Sequence, residues 1–146
     1  MKIEIKRFQD LDVSDLYSVL QLRSEVFVVE QDCVYQDMDG KDQLALHIIG
    51  NVDGKIVAYT RVFKPGDYFK EASIGRVVVR KSERQYGYGF EIMQASIEAI
   101  HKNFGVGTIH ISAQKYLKKF YTRLGFNMVG EEYLEDGIPH IGMVKD

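Results

Sequence analysis

The segment SERQYGYGFEIM (residues 82–93) follows the apolar run IGRVVV (74–79) and leads into a helix-like pattern. A valine-rich run of this length favours a strand that is buried on both faces. Phe90, Met93 and Ile97 then recur at helical spacing. A glycine-rich turn between a buried strand and a helix is typical of a phosphate-binding site, because backbone N–H groups converge there and the helix dipole favours negative charge.

The spacing of the glycines excludes two common phosphate-binding loops. A Walker loop requires G-x-x-x-x-G-K-[ST], which the chain does not contain. A dinucleotide fingerprint requires a third glycine, where Ile92 stands. The pattern R/Q-x-x-G-x-G/A remains, and Arg84, Gly87 and Gly89 occupy all of its fixed positions. The glycines let the backbone approach a bulky anion, and the arginine can donate charge-assisted hydrogen bonds.

This turn resembles the pyrophosphate-binding turn of the GNAT family of acyl-CoA N-acyltransferases. The segment IHISAQKYLKKFYTRLGFNMVGEE (109–132) resembles the family's next motif, which is a strand, a helix with a tyrosine, and then Leu-Gly-Phe. Two further segments, LRSEVFVVEQDCVYQDMDGKD (22–42) and EDGIPHIGM (135–143), are similar to the ElaA branch of the family. Gly40 and Lys41 depart slightly from the pattern of that branch.

Apolar periodicity and turn residues predict the element order β α β β β α β α β β, a mixed α/β domain with a partly antiparallel sheet. The predicted strands are 2–8, 46–52, 55–64, 73–80, 108–112, 126–134 and 139–144, and the helices end near 29, 101 and 125. Without repeats or linkers, residues 1–146 are expected to form a single domain. The resemblance implies the α+β GNAT fold, with helices on both faces of a mixed, mostly antiparallel sheet of about six or seven strands and a V-shaped splay between 73–80 and 108–112.

The resemblance also implies how coenzyme A would bind. Its pantetheine arm would lie beside the strand before the glycine turn, and its pyrophosphate would lie on the turn. The expected contacts are Val77, Val78, Val79, Arg84, Gln85, Tyr86, Gly87, Tyr88, Gly89, Gln114 and Lys118. For Lys118, a solvated helix face is the alternative. Acetyl-CoA is the expected co-substrate, and no metal is expected because one cysteine and four scattered histidines give no zinc spacing.

The implied reaction is the transfer of an acetyl group to a primary amine by direct attack in a ternary complex. Tyr121 would act as general acid for the departing CoA thiolate, which is reasonable because phenols and thiols have ordinary pKa values of about 10 and 8.5. Alternatively, Tyr121 is only a core aromatic residue. A non-catalytic CoA-binding module, or an acyltransferase with a different acyl donor, also remains open.

The acceptor side is less determined. A primary amine is mostly protonated at neutral pH, so the reaction needs a base. Glu30 and His140 are the catalytic candidates, while Glu25, Tyr35, Asp39 and Arg76 are expected near the substrate. His47 is a further base candidate, and Arg76 has the alternative of pairing with Glu71 or with a carboxylate of the cleft. The acidic loop (Glu30, Asp32, Asp37, Asp39 and Asp42) suggests a cationic acceptor, unless its carboxylates are simply solvated.

Composition limits the partners. The net charge of −2 argues against nucleic acid, and no apolar run reaches the length of a membrane span. The N-terminus alternates instead of forming a signal peptide, and the single cysteine excludes an intrachain disulfide, so a cytoplasmic location is expected. The expected partner is therefore a small-molecule or peptide amine, and whether the protein is a monomer or a homodimer stays open.

Overall fold

The computed structural model describes residues 1–105 and 107–146. Its strands are β1 (Lys2–Arg7), β2 (Leu46–Val52), β3 (Lys55–Phe63), β4 (Ala72–Val79), β5 (Ile109–Gln114), β6 (Asn127–Glu135) and β7 (Ile138–Lys145). Its α-helices are α1 (Val13–Arg23), α2 (Tyr88–Phe104) and α3 (Lys118–Arg123). Short 3₁₀ turns cover Phe8–Asp10, Asp42–Leu44, Lys81–Tyr86 and Lys115–Leu117. Element order and type follow the sequence prediction, with ends that move by a few residues.

The seven strands form one sheet in the order β1-β2-β3-β4-β5-β7-β6. Within the described residues, β4 and β5 are the only parallel neighbours, and the other pairs are antiparallel. The two parallel strands pair only at Ala72–Ile109 and Ser73–His110, and then diverge. The expected fold is thus confirmed, including the splay between the fourth and fifth strands.

Helices cover both faces of the sheet. On one face, α2 buries Ile92, Met93 and Ile100 in a core that includes Phe126. On the other face, α1 buries Val19 and Leu22 in a core with Ile49, Tyr59 and Val78 of the sheet. At the start of α1, the Asp15 N–H donates to Asp12 Oδ1 at 2.7 Å, so Asp12 caps the helix.

The first helix differs from the prediction in its last turns. Residues Ser24–Glu30 form a π-helix rather than a continuation of α1. The valines at 26, 28 and 29 are stiff at χ1 and weaken the α-helical preference. The wider π turn changes the direction in which the side chains after Arg23 project from the helix axis. Phe27, Glu30 and Gln31 line the gap between β4 and β5. Such π segments occur often at functional sites.

A β-bulge in β4 shapes the other side of the gap. Tyr59 pairs with Val78 and Arg61 pairs with Gly75, so a single β3 residue faces both Arg76 and Val77. Arg76 has a φ of 50°, in the left-handed region that non-glycine residues seldom adopt. Because a bulge bends its strand and increases its twist, it accounts for part of the divergence of β4 from β5.

Candidate active site

A cavity of about 560 Å³ opens at the gap between β4 and β5. Its walls come from the π-helical segment, the bulged part of β4, the glycine turn, β5, α3 and the β6–β7 hairpin. This volume lies in the range of about 300–1,000 Å³ that is usual for small-molecule sites. Among the described residues there is no cluster of three His, Cys, Asp or Glu side chains that could hold a metal. No described helix is both long and apolar enough to cross a membrane.

The glycine turn forms one end of the cavity. Gly87 has a φ of 74° and precedes the first residue of α2, so a residue with a Cβ would be strained there. Gly89 has ordinary backbone geometry, and an added Cβ would lie 3.5 Å from Phe120, which is a normal contact. This difference agrees with a motif that requires glycine at the first position and accepts alanine at the second.

Arg84 is tied to both walls of the gap. Its Nε donates to the carbonyl oxygen of Val79 at 3.0 Å, and its two terminal nitrogens donate to the Glu30 carboxylate at 2.6 and 2.9 Å. These hydrogen bonds hold the pKa of Glu30 below its ordinary value. Glu30 therefore lines the cavity as predicted, but its pairing with Arg84 weakens the case for it as a general base.

Tyr121 lies in α3 and lines the same cavity, with only 5% of its surface exposed. Its ring packs edge-on against Phe120 and Phe126. Burial raises the pKa of Tyr121 well above its ordinary value, because a phenolate would lose its hydration there. The phenol is protonated at neutral pH, as an ordinary tyrosine is, and the raised pKa does not by itself favour proton transfer to a thiolate, whose ordinary pKa is about 8.5.

Three arginines and three aspartates form an arginine–aspartate network beside the cavity, in which Arg23, Arg61, Asp37 and Asp42 are buried. Its members are Arg23, Arg61, Arg76, Asp37, Asp39 and Asp42. Arg23 donates to Asp37 at 2.8 Å and to Asp42 at 2.7 Å. Arg61 donates to both oxygens of Asp39, at 2.8 and 2.6 Å, and to Asp42 at 3.0 Å.

Arg76 completes this network from the bulge. Its Nη2 donates to the carbonyl oxygen of Asp37 at 2.8 Å, and its Nε lies 2.7 Å from Asp37 Oδ1, although the N–H is not directed at that oxygen. Of the two alternative pairings, Arg76 adopts the one with a loop carboxylate, that of Asp37, and not the one with Glu71, which contacts His110 instead. With three positive and three negative members, the network is neutral. The loop aspartates 37, 39 and 42 therefore do not supply the free negative charge that the sequence suggested.

Four side chains form a separate cluster, the hairpin cluster, at the β6–β7 hairpin and β5: Ser112, Tyr133, Glu135 and His140, of which all but Tyr133 line the cavity. His140 Nδ1–H donates to the carbonyl oxygen of Ile138 at 2.7 Å, and Nε2 lies 3.4 Å from Glu135 Oε2. The Ser112 hydroxyl donates to Glu135 Oε1 at 3.2 Å and is also hydrogen-bonded to the Tyr133 hydroxyl. The Tyr133 ring stacks on His140.

The predicted site residues divide into two groups. The cavity wall includes Glu30, Tyr35, Arg76, Val77, Val78, Val79, Arg84, Gly87, Gly89, Gln114, Tyr121 and His140. Gln85, Tyr86, Tyr88, Lys118, Glu25 and Asp39 are not part of it. Glu25 instead pairs with Arg80 at 2.8 Å, and Asp39 is held by Arg61. The roles of both groups in binding and catalysis remain predictions.

His47 is not a candidate base in this structure. It is 1% exposed and lies between Tyr59, whose hydroxyl donates to Nδ1 at 2.7 Å, and the Asp42 carbonyl, which accepts from Nε2 at 2.9 Å. Burial lowers its pKa, so this imidazole is neutral and structural.

Several residues of the cavity wall are not predicted by the sequence pattern, chiefly Gln31, Ser112, Phe120, Arg123 and Glu135. Glu135 opens the EDGIPH segment, so the signal for it was present in the same motif that identified His140. Ser112 ends the predicted strand 108–112, whose alternation was visible, but nothing local indicated which of its polar residues faces a site.

Comparisons with known proteins agree with this geometry. A family model described as an acetyltransferase (GNAT) domain matches residues 10–146. The protein ElaA of Escherichia coli is 42% identical over 139 residues, which cover 94% of this chain and 91% of that protein.

Solved structures give the same result. An acyl-CoA N-acyltransferase from Pseudomonas aeruginosa superposes with a TM-score of 0.93 at 39% identity, and E. coli ElaA with 0.91 at 38%, each covering 100% of both chains. An aminoglycoside 6′-N-acetyltransferase solved with coenzyme A shares the fold at a TM-score of 0.73 and 14% identity, covering 97% of this chain and 96% of that one. The chain therefore belongs to the GNAT family, with the ElaA proteins among its homologues.

Proposed function

We propose that the protein transfers an acetyl group from acetyl-CoA to a primary amine by direct attack within a ternary complex. The observation that carries this proposal is the gap between β4 and β5, which holds a cavity with the glycine turn at one end, the protonated Tyr121 in its wall and the hairpin cluster on another side.

The donor half of the cavity suits an extended pantetheine arm. Beyond Ser73, β4 has no pairing with β5, so the backbone near Val77, Val78 and Val79 can pair with a ligand that adds like a strand, except for the Val79 carbonyl, which accepts from Arg84. The pyrophosphate would lie on the glycine turn, where Arg84 and the N–H groups at the start of α2 can donate to it.

The chemistry follows from this placement. The neutral amine attacks the thioester carbonyl, the C–N bond forms, and the tetrahedral intermediate breaks its C–S bond. Backbone N–H groups of β4 would stabilise the oxyanion. Tyr121 gives its proton to the departing thiolate, a contribution of about 10²- to 10⁴-fold in rate.

A Tyr121→Phe variant tests the acid role. We expect kcat for thiol release to fall at least about ten-fold, because the proton donor is lost, while the Kd for acetyl-CoA measured by calorimetry changes less than about two-fold. The control is Tyr17→Phe, which removes an exposed phenol from α1 and should leave both values unchanged.

The same assay separates the alternatives. Wild-type protein is tested with amines of several classes and with acetyl-, propionyl- and succinyl-CoA. Turnover only with a longer acyl group would indicate a different donor. Binding of CoA without thiol release for any pair would indicate a non-catalytic binding module, and undetectable binding of acetyl-CoA would overturn both readings.

A further inference from the structure

The hairpin cluster contains two hydrogen-bond acceptors that face each other. Because His140 Nδ1–H donates to the Ile138 carbonyl, the neutral imidazole carries its lone pair on Nε2. The Nε2 atom lies 3.4 Å from a carboxylate oxygen of Glu135. Two acceptors at this distance repel unless a proton or an N–H donor lies between or beside them. An ammonium group satisfies both, since it has three N–H donors and a positive charge.

The remaining charges of the cavity wall favour the same ligand. Arg61 and Arg76 belong to the neutral arginine–aspartate network, and Arg84 is paired with Glu30. In the described part of the chain, neither Glu135 nor Asp136 has an arginine or lysine partner. The remaining cation of the wall, Arg123, lies on α3 and not on the hairpin. The hairpin side of the cavity is thus negative.

Aromatic side chains in other parts of the cavity wall fit an aliphatic chain. Tyr35, Tyr68 and Phe69 also line the cavity, and Tyr68 packs edge-on against Phe69 at 4.9 Å. Aromatic faces pack well against methylene groups and tolerate a nearby cation. A carboxylate attached next to the reacting amine would instead lie close to Glu135 and Asp136, where it would be repelled.

We propose that Glu135 and His140 bind the acceptor as its ammonium form and take its proton, and that the acceptor is an aliphatic primary amine without a carboxylate beside the amino group. This inference rests on the proposed acetyl transfer and specifies its acceptor half. Glu135 holds the ammonium by charge, while His140 Nε2 is the atom that receives the proton.

The proton balance is complete. One N–H proton of the ammonium moves to His140 Nε2, and the resulting imidazolium is stabilised by Glu135. The neutral nitrogen then attacks the thioester carbon, and after the C–N bond forms, the nitrogen loses a second proton to solvent. Tyr121 protonates the thiolate. The resulting phenolate then takes up one of the two protons released from the amine, by way of solvent. The net release is one proton for each amide formed.

A Glu135→Gln variant tests the binding role, because it keeps the shape and removes the charge. With n-butylamine as acceptor, we expect the amine KM to rise at least about ten-fold, the size of a charged hydrogen bond lost. The Kd for acetyl-CoA should change less than about two-fold. The matched control is Glu132→Gln on the same strand, whose carboxylate pairs with Lys115 at 2.7 Å outside the cavity and whose loss should leave the amine KM unchanged.

A His140→Gln variant tests the proton transfer through its pH profile. Its kcat/KM at pH 7 should fall at least about ten-fold, and the difference from wild type should narrow towards pH 10, where the free amine is increasingly neutral without help. Glu135 and Tyr133 on β6 contact His140 directly, Gln114 on β5 is its strand partner, and Ser112 on β5 contacts Glu135 and Tyr133. A merely structural role for His140 would lower activity equally at every pH.

Three results would overturn the inference. They are an unchanged amine KM in Glu135→Gln, a pH-independent loss in His140→Gln, and a preference of the wild type for α-amino acids over n-butylamine. If wild-type protein binds acetyl-CoA but acetylates no amine, the proposed function itself fails, and the inference fails with it. If circular dichroism shows that His140→Gln does not fold, the amine KM of Glu135→Gln still tests the inference. The Glu135 side chain is 44% exposed, so we expect that variant to fold.

Discussion

The pairing of Arg84 with Glu30 gives one arginine two possible anionic partners. In this structure, a carboxylate occupies both terminal nitrogens of the side chain that the motif assigns to pyrophosphate. Bound coenzyme A would have to displace or share this contact. The two side chains are 41% and 28% exposed, so the pair contributes no more than about 1 kcal/mol, the usual range for such pairs.

Replacing Glu30 with glutamine should therefore strengthen binding of coenzyme A. We expect a decrease in Kd of up to about five-fold by calorimetry, because the competing charge is removed at the cost of a weak ion pair. Glu25→Gln is the control. Glu25 lies on the same π-helical segment as Glu30, and its comparable ion pair with Arg80 lies outside the cavity. Weaker CoA binding in Glu30→Gln alone would show that the carboxylate supports the site instead of competing for it.

Residues in local motifs were the ones that sequence could predict. Arg84, Gly87 and Gly89 fall within six positions, and one stretch carries Tyr121. The sequence did not predict that arginines neutralise the acidic loop, because Arg23, Arg61 and Arg76 come from a helix and two strands that are distant from the loop in sequence. The contact between Glu135 and His140 also depends on the hairpin register, in which Tyr133 faces His140, and this register was not determined by the sequence pattern.

At the scale of elements, the loop between the π-helical segment and β2 is held mainly by charge. Val34, Met38 and Leu44 are exposed, whereas Asp37 and Asp42 are buried against arginines. Burial raises the pKa of Asp39 and of Asp42, but the arginine hydrogen bonds and charges outweigh it and lower both pKa values overall. The loop that closes one side of the cavity is thus ordered by ionised carboxylates.

This arrangement predicts an acid-sensitive fold. A carboxyl whose pKa is lower in the folded state adds stability above its unfolded pKa of about 4, and this stability is lost as the pH falls towards the folded value. We therefore expect Tm to fall steeply below about pH 4. A smaller decrease should begin near pH 6.5, because the buried His47 binds a proton only when the chain unfolds.

An Asp39→Asn variant separates these two contributions. It should have a lower Tm at pH 7 but a shallower decrease below pH 4, since one linked carboxyl is missing, while the decrease attributed to His47 persists. Thermal melts followed by circular dichroism between pH 3 and 8 measure both. An unchanged slope below pH 4 would show that Asp39 contributes nothing to the acid transition.

The order and type of the elements were predictable because strand alternation, helical spacing and turn residues are local signals. The π-helix was not, since Phe27 and Val28 fit an α-helical pattern equally well, and the choice is made by how the segment packs at the gap. The bulge at Arg76 was also hidden, because an arginine with positive φ has no sequence signature.

At the scale of the whole molecule, two sub-sheets meet at a short seam. Among the residues that the structure describes, the strands β1 to β4 and the strands β5 to β7 share only the pairs Ala72–Ile109 and Ser73–His110. A ligand that lies in the gap beyond this seam would contact both sub-sheets. We therefore expect acetyl-CoA to raise Tm by stabilising the strands on both sides of the gap, with little effect on the rest of the sheet.

Hydrogen exchange can locate this effect. With saturating acetyl-CoA, peptides covering 74–79 and 85–90 should exchange more slowly, because their N–H groups would be bonded to the ligand. Peptides from β1 and β2, far from the gap in strand order, serve as the internal control and should be unaffected. Uniform slowing over the whole chain, or none at the gap, would contradict the assigned binding mode.

The splay between β4 and β5 also has a cost for the ligand-free protein. Strands with unpaired backbone groups are sites where other chains add and aggregation begins, and proteins usually protect such edges at the outside of a sheet. Here the unprotected edges lie in the middle of the sheet, at the mouth of a cavity. Coenzyme A bound in the gap would cover these edges. Besides supplying the acyl group, it would then keep other chains from pairing with the open strands and so lower the tendency of the protein to aggregate. Extended peptides would compete with it for the same backbone groups.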